Sequence, residues 1–160
     1  QSDFFLAEMG SSKPEIGIPI LTPPVPDEGK AKLVVIHQDY RALSNSLTMC
    51  MFARVPISVQ LALVNAVAGL DWSLEMFMLA GERIWNLKRG INHRCGLTRA
   101  NDTLPKILLT PVSDGPNAGH VPNFDLLLHD YYGARGWDEK NGRPTQATLD
   151  RCGLNFVRLS

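Results

Sequence analysis

The spacing of apolar side chains is the strongest constraint on how this chain folds. After Gly29, residues Leu33, Ile36, Tyr40, Leu43 and Leu47 recur at steps of three and four. That is one face of a helix, and it predicts a helix over 30–46. PISVQLALVNAVAGLD starts on a proline suited to a first helical turn and reaches a stop at Gly69. Ser73 is placed to cap a further helix, whose stripe of Phe77, Ala80, Ile84, Leu87 and Ile91 ends near Cys95 and Gly96. NFDLLLHDYYGARGW returns to helical spacing, and PTQATLDRCG reads as a short helix stopped by Gly153.

Between these stripes the chain is punctuated by helix breakers. Residues 10–28 hold five prolines and two glycines, which remove donors and bias the backbone toward extended geometry. Residues 1–28 therefore read as an extended, Pro-rich lead-in, and 29–160 as one helical domain. A second loop over 97–122 is rich in Pro, Gly, Asp and Asn, with KILL at 106–109 as its one short extended piece. The expected fold class is all-α, an irregular helical domain with long Pro/Gly-rich loops. With 160 residues and 44% hydrophobic content, a sizeable core can form. The opening QSDFFLAEMG lacks both an initiator methionine and the pattern of a signal peptide, so the chain reads as part of a longer parent.

Charge and cysteine usage narrow the function classes. Sixteen basic side chains balance sixteen acidic ones, so no net field draws the chain to nucleic acid. The basic helix ERIWNLKRGINHR, in a chain without overall positive charge and without interleaved exposed aromatics, reads as a solvated face that also pairs with acidic neighbours. Apolar runs such as MFMLA fall far short of the roughly 20 residues of a membrane-spanning helix. Cys50, Cys95 and Cys152 are an odd number without CxxC spacing. That argues against a disulfide framework or a zinc site made by this chain, and for a reducing, cytoplasmic setting. The sequon-like Asn101-Asp102-Thr103 then reads as an accident of composition.

The sequence holds no GxSxG, HExxH, Walker loop or GxGxxG. Function has to be read from longer stretches. HQDYRALSNSLTMCMF (37–52), VNAVAGLDWSLEMFMLAGERIWNLKRGINHRCGLTRANDTLPK (64–106), NFDLLLHDYYGARGWDEKNGRPTQATL (123–149) and CGL (152–154) together resemble the C-terminal part of the tungsten- or molybdenum-pterin aldehyde ferredoxin oxidoreductase family. The resemblance runs in family order through most of 28–155.

In that family an Asp-x-x-Gly-Leu-Cys segment ends a helix beside the cofactor. Its cysteine is the fourth ligand of a [4Fe-4S] cluster, and its aspartate contacts a pterin. The resemblance places Cys50 at the cysteine, Asn45 at the aspartate, Thr48 at the glycine and Met49 at the leucine. Asparagine keeps an acceptor but loses the charge, and Thr48 costs backbone freedom that glycine would keep. The other three cluster cysteines, in a CxxCxxxC segment, and the main pterin-cradling surface belong to other domains of the family's proteins. This chain has neither. The resemblance thus implies a parent that binds a tungsten- or molybdenum-bis-pterin and one [4Fe-4S] cluster, oxidises an aldehyde to a carboxylic acid and passes electrons to ferredoxin or another carrier. This chain would supply Cys50 as a ligand and be silent alone, its partners being the rest of the parent and, through an exposed apolar face, a second copy in a homodimer. Two alternatives stay open, a subunit of a related aromatic acyl-CoA reductase and a non-catalytic helical scaffold. A thiol enzyme built on Cys50 and His37 is excluded by a separation of about 20 Å along the helix.

The remaining polar residues read as structural. His37, His93, His120 and His129 are scattered and read as surface or capping residues. Cys95 and Cys152 sit at helix ends without a matched ligand role. Arg99, Asp102 and Lys106 are expected to tie their loop down by charge-assisted hydrogen bonds, and Tyr131, Tyr132 and Trp137 to build core.

Overall fold

A computed structural model describes residues 29–53, 55–115 and 118–158. The Pro-rich lead-in expected over 1–28 lies outside them. Among the described residues five α-helices follow one another: α1 (Lys30–Ser46), α2 (Ile57–Ala68), α3 (Leu74–Arg94), α4 (Phe124–Arg135) and α5 (Gln146–Arg151). Single 3-10 turns lie at Met51–Ala53, Arg99–Asn101 and Lys106–Leu109, and no β-strand forms among the described residues. The KILL segment is therefore a 3-10 turn and not the extended piece its composition suggested. Pro105 precedes it at φ −53, and the Leu108 amide bonds back to the Pro105 carbonyl (2.9 Å), which closes the turn.

The described residues form two compact units, one from 29–35 with 98–142 and the other from 36–97 with 143–158. In the first, Asn123 caps α4 by accepting from the Leu126 amide. Gly136 ends the helix in the left-handed region at φ 64. Tyr132 is 1% exposed and packs with Tyr131 and Trp137, at ring centroid distances of 6.4 and 5.8 Å. Asp102 accepts from the Tyr132 hydroxyl while the Arg99 guanidinium lies 5.7 Å from that ring's centre. Of the side chains expected to tie this loop, Asp102 does so by a hydrogen bond and Arg99 by a contact with an aromatic ring. Arg135 is fully buried, lies over the Tyr131 ring and donates to the Val35 carbonyl (3.3 Å).

In the second unit the Ser73 hydroxyl accepts from the Met76 amide at the start of α3. Asn65 exchanges two hydrogen bonds with the Trp72 backbone and pins the turn between α2 and α3. Gly81 lets α3 meet α1 closely, because a Cβ built there would lie 2.4 Å from the Asp39 carbonyl oxygen. Leu149, Cys152 and Leu154 form a small core with Leu87 and Val157. Arg83 donates to the Cys152 and Gly153 carbonyls (2.6 and 2.8 Å), and Arg151 makes a two-pronged pair with Glu82 (2.5 and 2.6 Å). Those bonds fasten the tail to α3.

Helix positions follow the sequence, but the buried faces do not. On α1, Leu33 and Ile36 are about half exposed, while Ala31, Val34, Gln38, Asp39, Ala42, Leu43 and Ser44 are buried. On α3, Phe77 is buried as expected, yet Ile91 is exposed and Asn86, Arg89 and His93 are buried. The face is rotated because buried polar side chains find partners there, which an apolar period cannot register. His93 illustrates this: its Nδ1–H donates to the Leu97 carbonyl (2.9 Å), and Nε2 accepts from Arg143. Arg89 and His93 thereby correct the reading of this helix's basic residues as one solvated face.

Candidate functional site

The end of α1 is closed by two crossed hydrogen bonds. The Met49 amide reaches the Ser44 carbonyl (3.0 Å), and the Thr48 amide reaches the Asn45 carbonyl (3.1 Å). This is the Schellman arrangement, whose residue just past the cap must enter the left-handed region. Thr48 occupies that place at φ 54, the one positive φ at a non-glycine among the described residues. The same position after α4 holds Gly136, so the threonine stands where the geometry favours glycine. The reversal turns the chain away from the helix axis and delivers Met49 and Cys50 to one side of it.

Beyond the reversal, the Cys50 carbonyl accepts from the Ala53 amide (3.1 Å) and opens the 3-10 turn leading to α2. Cys50 is exposed and in no disulfide. With Met49 it borders a cleft of about 280 Å³ whose other walls are Tyr40, Arg41, Ser44, Val55, Pro56 and Gln60. Asn45 and Thr48 are exposed at the helix end and do not line this cleft. The structure thus brings Met49 and Cys50 together on the cleft, while Thr48 is bonded back to Asn45 at the exposed helix end.

The floor of the cleft was not legible from motifs. Gln60 is 2% exposed, and its Nε2 donates to the Tyr40 hydroxyl (2.7 Å) and the Val55 carbonyl (2.8 Å). Its Oε1 accepts from the Ser44 hydroxyl (3.0 Å). One signal could have found it: Gln60 is the polar side chain in the first two turns of an otherwise apolar helix, ISVQLALVNAVA, apart from Ser58.

The donor set bears on metal chemistry. No group of three or more His, Cys, Asp or Glu side chains among the described residues is arranged to hold a metal ion. Cys95 is exposed at the end of α3. Cys152 is buried, and burial, reinforced by Glu82, pushes its thiol above the usual range. A [4Fe-4S] cluster takes one protein ligand per iron, so Cys50 fits as one ligand of four and cannot hold a cluster alone. No helix among the described residues is long and apolar enough to cross a membrane.

A sequence model of a protein family, described as aldehyde ferredoxin oxidoreductase, domains 2 & 3, matches residues 4–154. The chain belongs to the aldehyde ferredoxin oxidoreductase family. Among its relatives, the tungsten-containing aldehyde ferredoxin oxidoreductase of Pyrococcus abyssi is 40% identical over 148 residues, which is 88% of this chain and 24% of that protein. The Thermococcus kodakarensis protein of the same name is 38% identical over 148 residues, with the same coverage of both. The Pyrococcus furiosus one is 37% identical over 131 residues, 79% of this chain and 22% of that protein. The chain therefore spans about a quarter of the length of these curated relatives, and its helical fold is that of the family's C-terminal portion.

Proposed function

We propose that this chain is the cluster-side helical portion of a parent enzyme that oxidises aldehydes to carboxylic acids. In the balanced reaction, aldehyde and water yield the acid, two protons and two electrons, and ferredoxin or a similar carrier accepts the electrons. The tungsten- or molybdenum-bis-pterin, when bound, supplies the two-electron chemistry, and the [4Fe-4S] cluster supplies the one-electron exit. Cys50 is the fourth cluster ligand; the other three come from elsewhere in the parent.

The observation that carries this reading is the Schellman closure that leaves Cys50 exposed at the lip of a cleft. A thiolate presented from a closed turn keeps its direction without help from the metal. Met49 and Val55 line the same cleft beside it. Asn45, exposed one turn earlier, offers a carboxamide oxygen to a pterin amino group and carries no charge for it. Thr48 and Met49 contribute backbone at the same edge.

The test uses the full-length parent purified without oxygen. Tungsten or molybdenum, one [4Fe-4S] cluster and aldehyde-dependent reduction of a dye are expected. The Cys50→Ala parent should lose the cluster's visible absorbance while keeping its fold by circular dichroism. Intact cluster absorbance in that variant would sink the ligand assignment.

A further inference from the structure

We propose that Gln60 is a positioning residue for Cys50: its buried carboxamide clamps both ends of the loop that carries the thiol. This rests on the reading of Cys50 as a cluster ligand. The loop leaves α1 at Leu47 and regains regular structure at α2. On its first side, Ser44 accepts the Met49 amide through its carbonyl and donates its hydroxyl to Gln60 Oε1. On its far side, the Val55 carbonyl accepts from Gln60 Nε2 and from the Tyr40 hydroxyl (3.0 Å). Gln60 Nε2 spends its second hydrogen on Tyr40. Both N–H groups and the oxygen of the amide are thus used, and reversing the amide would set its oxygen against the Val55 carbonyl. One side chain, 2% exposed, therefore ties α1, the loop and α2 into a single network that borders the thiol's cleft.

A ligand held this way reorganises little when the charge of its metal centre changes, and it stays in place when the cluster is challenged by a chelator. Leucine at position 60 keeps the bulk and removes all three hydrogen bonds. The experiment compares the full-length parent with its Gln60→Leu, Tyr40→Phe and Cys50→Ala variants. It follows iron content, the reduction potential and paramagnetic resonance of the cluster, chelator-driven iron loss, and hydrogen exchange of the 49–55 amides.

With the clamp in place, Gln60→Leu binds the full complement of iron, shifts the reduction potential, and speeds both iron loss and exchange at 49–55 by roughly tenfold. Tyr40→Phe, which removes one bond to Gln60 and one to Val55, shows the same changes at smaller size and serves if Gln60→Leu does not fold. An unchanged potential, chelation rate and exchange in both variants overturns the proposal. A cluster that survives Cys50→Ala overturns the ligand reading instead. In that case exchange at 49–55 alone decides the clamp, kept if faster and rejected if unchanged.

Discussion

Thr48→Gly should make the protein more stable. Thr48 is the Schellman residue after α1, held at φ 54 although it carries a β-branched side chain. Left-handed backbone costs an ordinary residue about 1–2 kcal/mol, and a branched Cβ sits at the upper end. Little offsets that cost in the folded state. The side chain is exposed, and its hydroxyl bonds only the neighbouring Leu47 carbonyl (2.7 Å), a solvent-facing contact of small worth. Against the gain, glycine loses about 0.5–1 kcal/mol more backbone entropy on folding. The net expectation is a stabilisation on the order of 1 kcal/mol, a rise in melting temperature of about 2–4 °C for a protein of this size. Urea unfolding should show a higher midpoint with an unchanged slope, since no burial changes. Thr48→Ala removes the branch but keeps the Cβ, so it should fall between threonine and glycine. A Thr48→Gly protein no more stable than Thr48→Ala would refute the strain argument, because the left-handed Cβ would then cost nothing.

Two further outcomes follow from the packing of single residues. Gly81→Ala places a Cβ 2.4 Å from the Asp39 carbonyl oxygen, and both atoms belong to helix backbones that must move apart. Overpacking of about 1–3 kcal/mol should outweigh the roughly 1 kcal/mol of helix propensity gained, lowering the urea midpoint. Gly133→Ala on α4, with nothing within 4 Å of the added atom, should raise it. For Cys152, burial raises the folded thiol's pKa, and Glu82 adds to that. Its stabilising contribution is complete below the unfolded thiol's pKa of about 8.5 and is lost as pH rises toward the folded value. Stability of the wild type should therefore fall more steeply above pH 8.5 than that of Cys152→Ala in parallel urea titrations, and equal slopes would reject the assignment.

Local physics made much of the helical framework legible. Ser73, Gly69, Gly136 and Gly153 mark helix ends because caps and left-handed stops depend on neighbours within a few residues. The ordered resemblance over most of the chain identified the family for the same reason, since it needs only the order of side chains. KILL was misread because a proline-led apolar tetrad satisfies a 3-10 turn as easily as an extended one. The α1 and α3 faces were misassigned because polar Gln38, Asp39, Asn86, Arg89 and His93 are buried there, Asn86 against Cys152 and His93 between Leu97 and Arg143.

The sequence by itself determined where most of the helices run, that Cys50 follows a helix end, and that Thr48 sits where glycine belongs. Only the tertiary structure decided which face of each helix is buried, that Met49 and Cys50 share a cleft, and that Gln60 bonds to both ends of the loop between α1 and α2. The physical reason is range. A cap or an apolar period is settled within a turn or two of backbone, whereas the burial of an amide depends on whether a hydroxyl 16 or 20 residues away arrives to satisfy it.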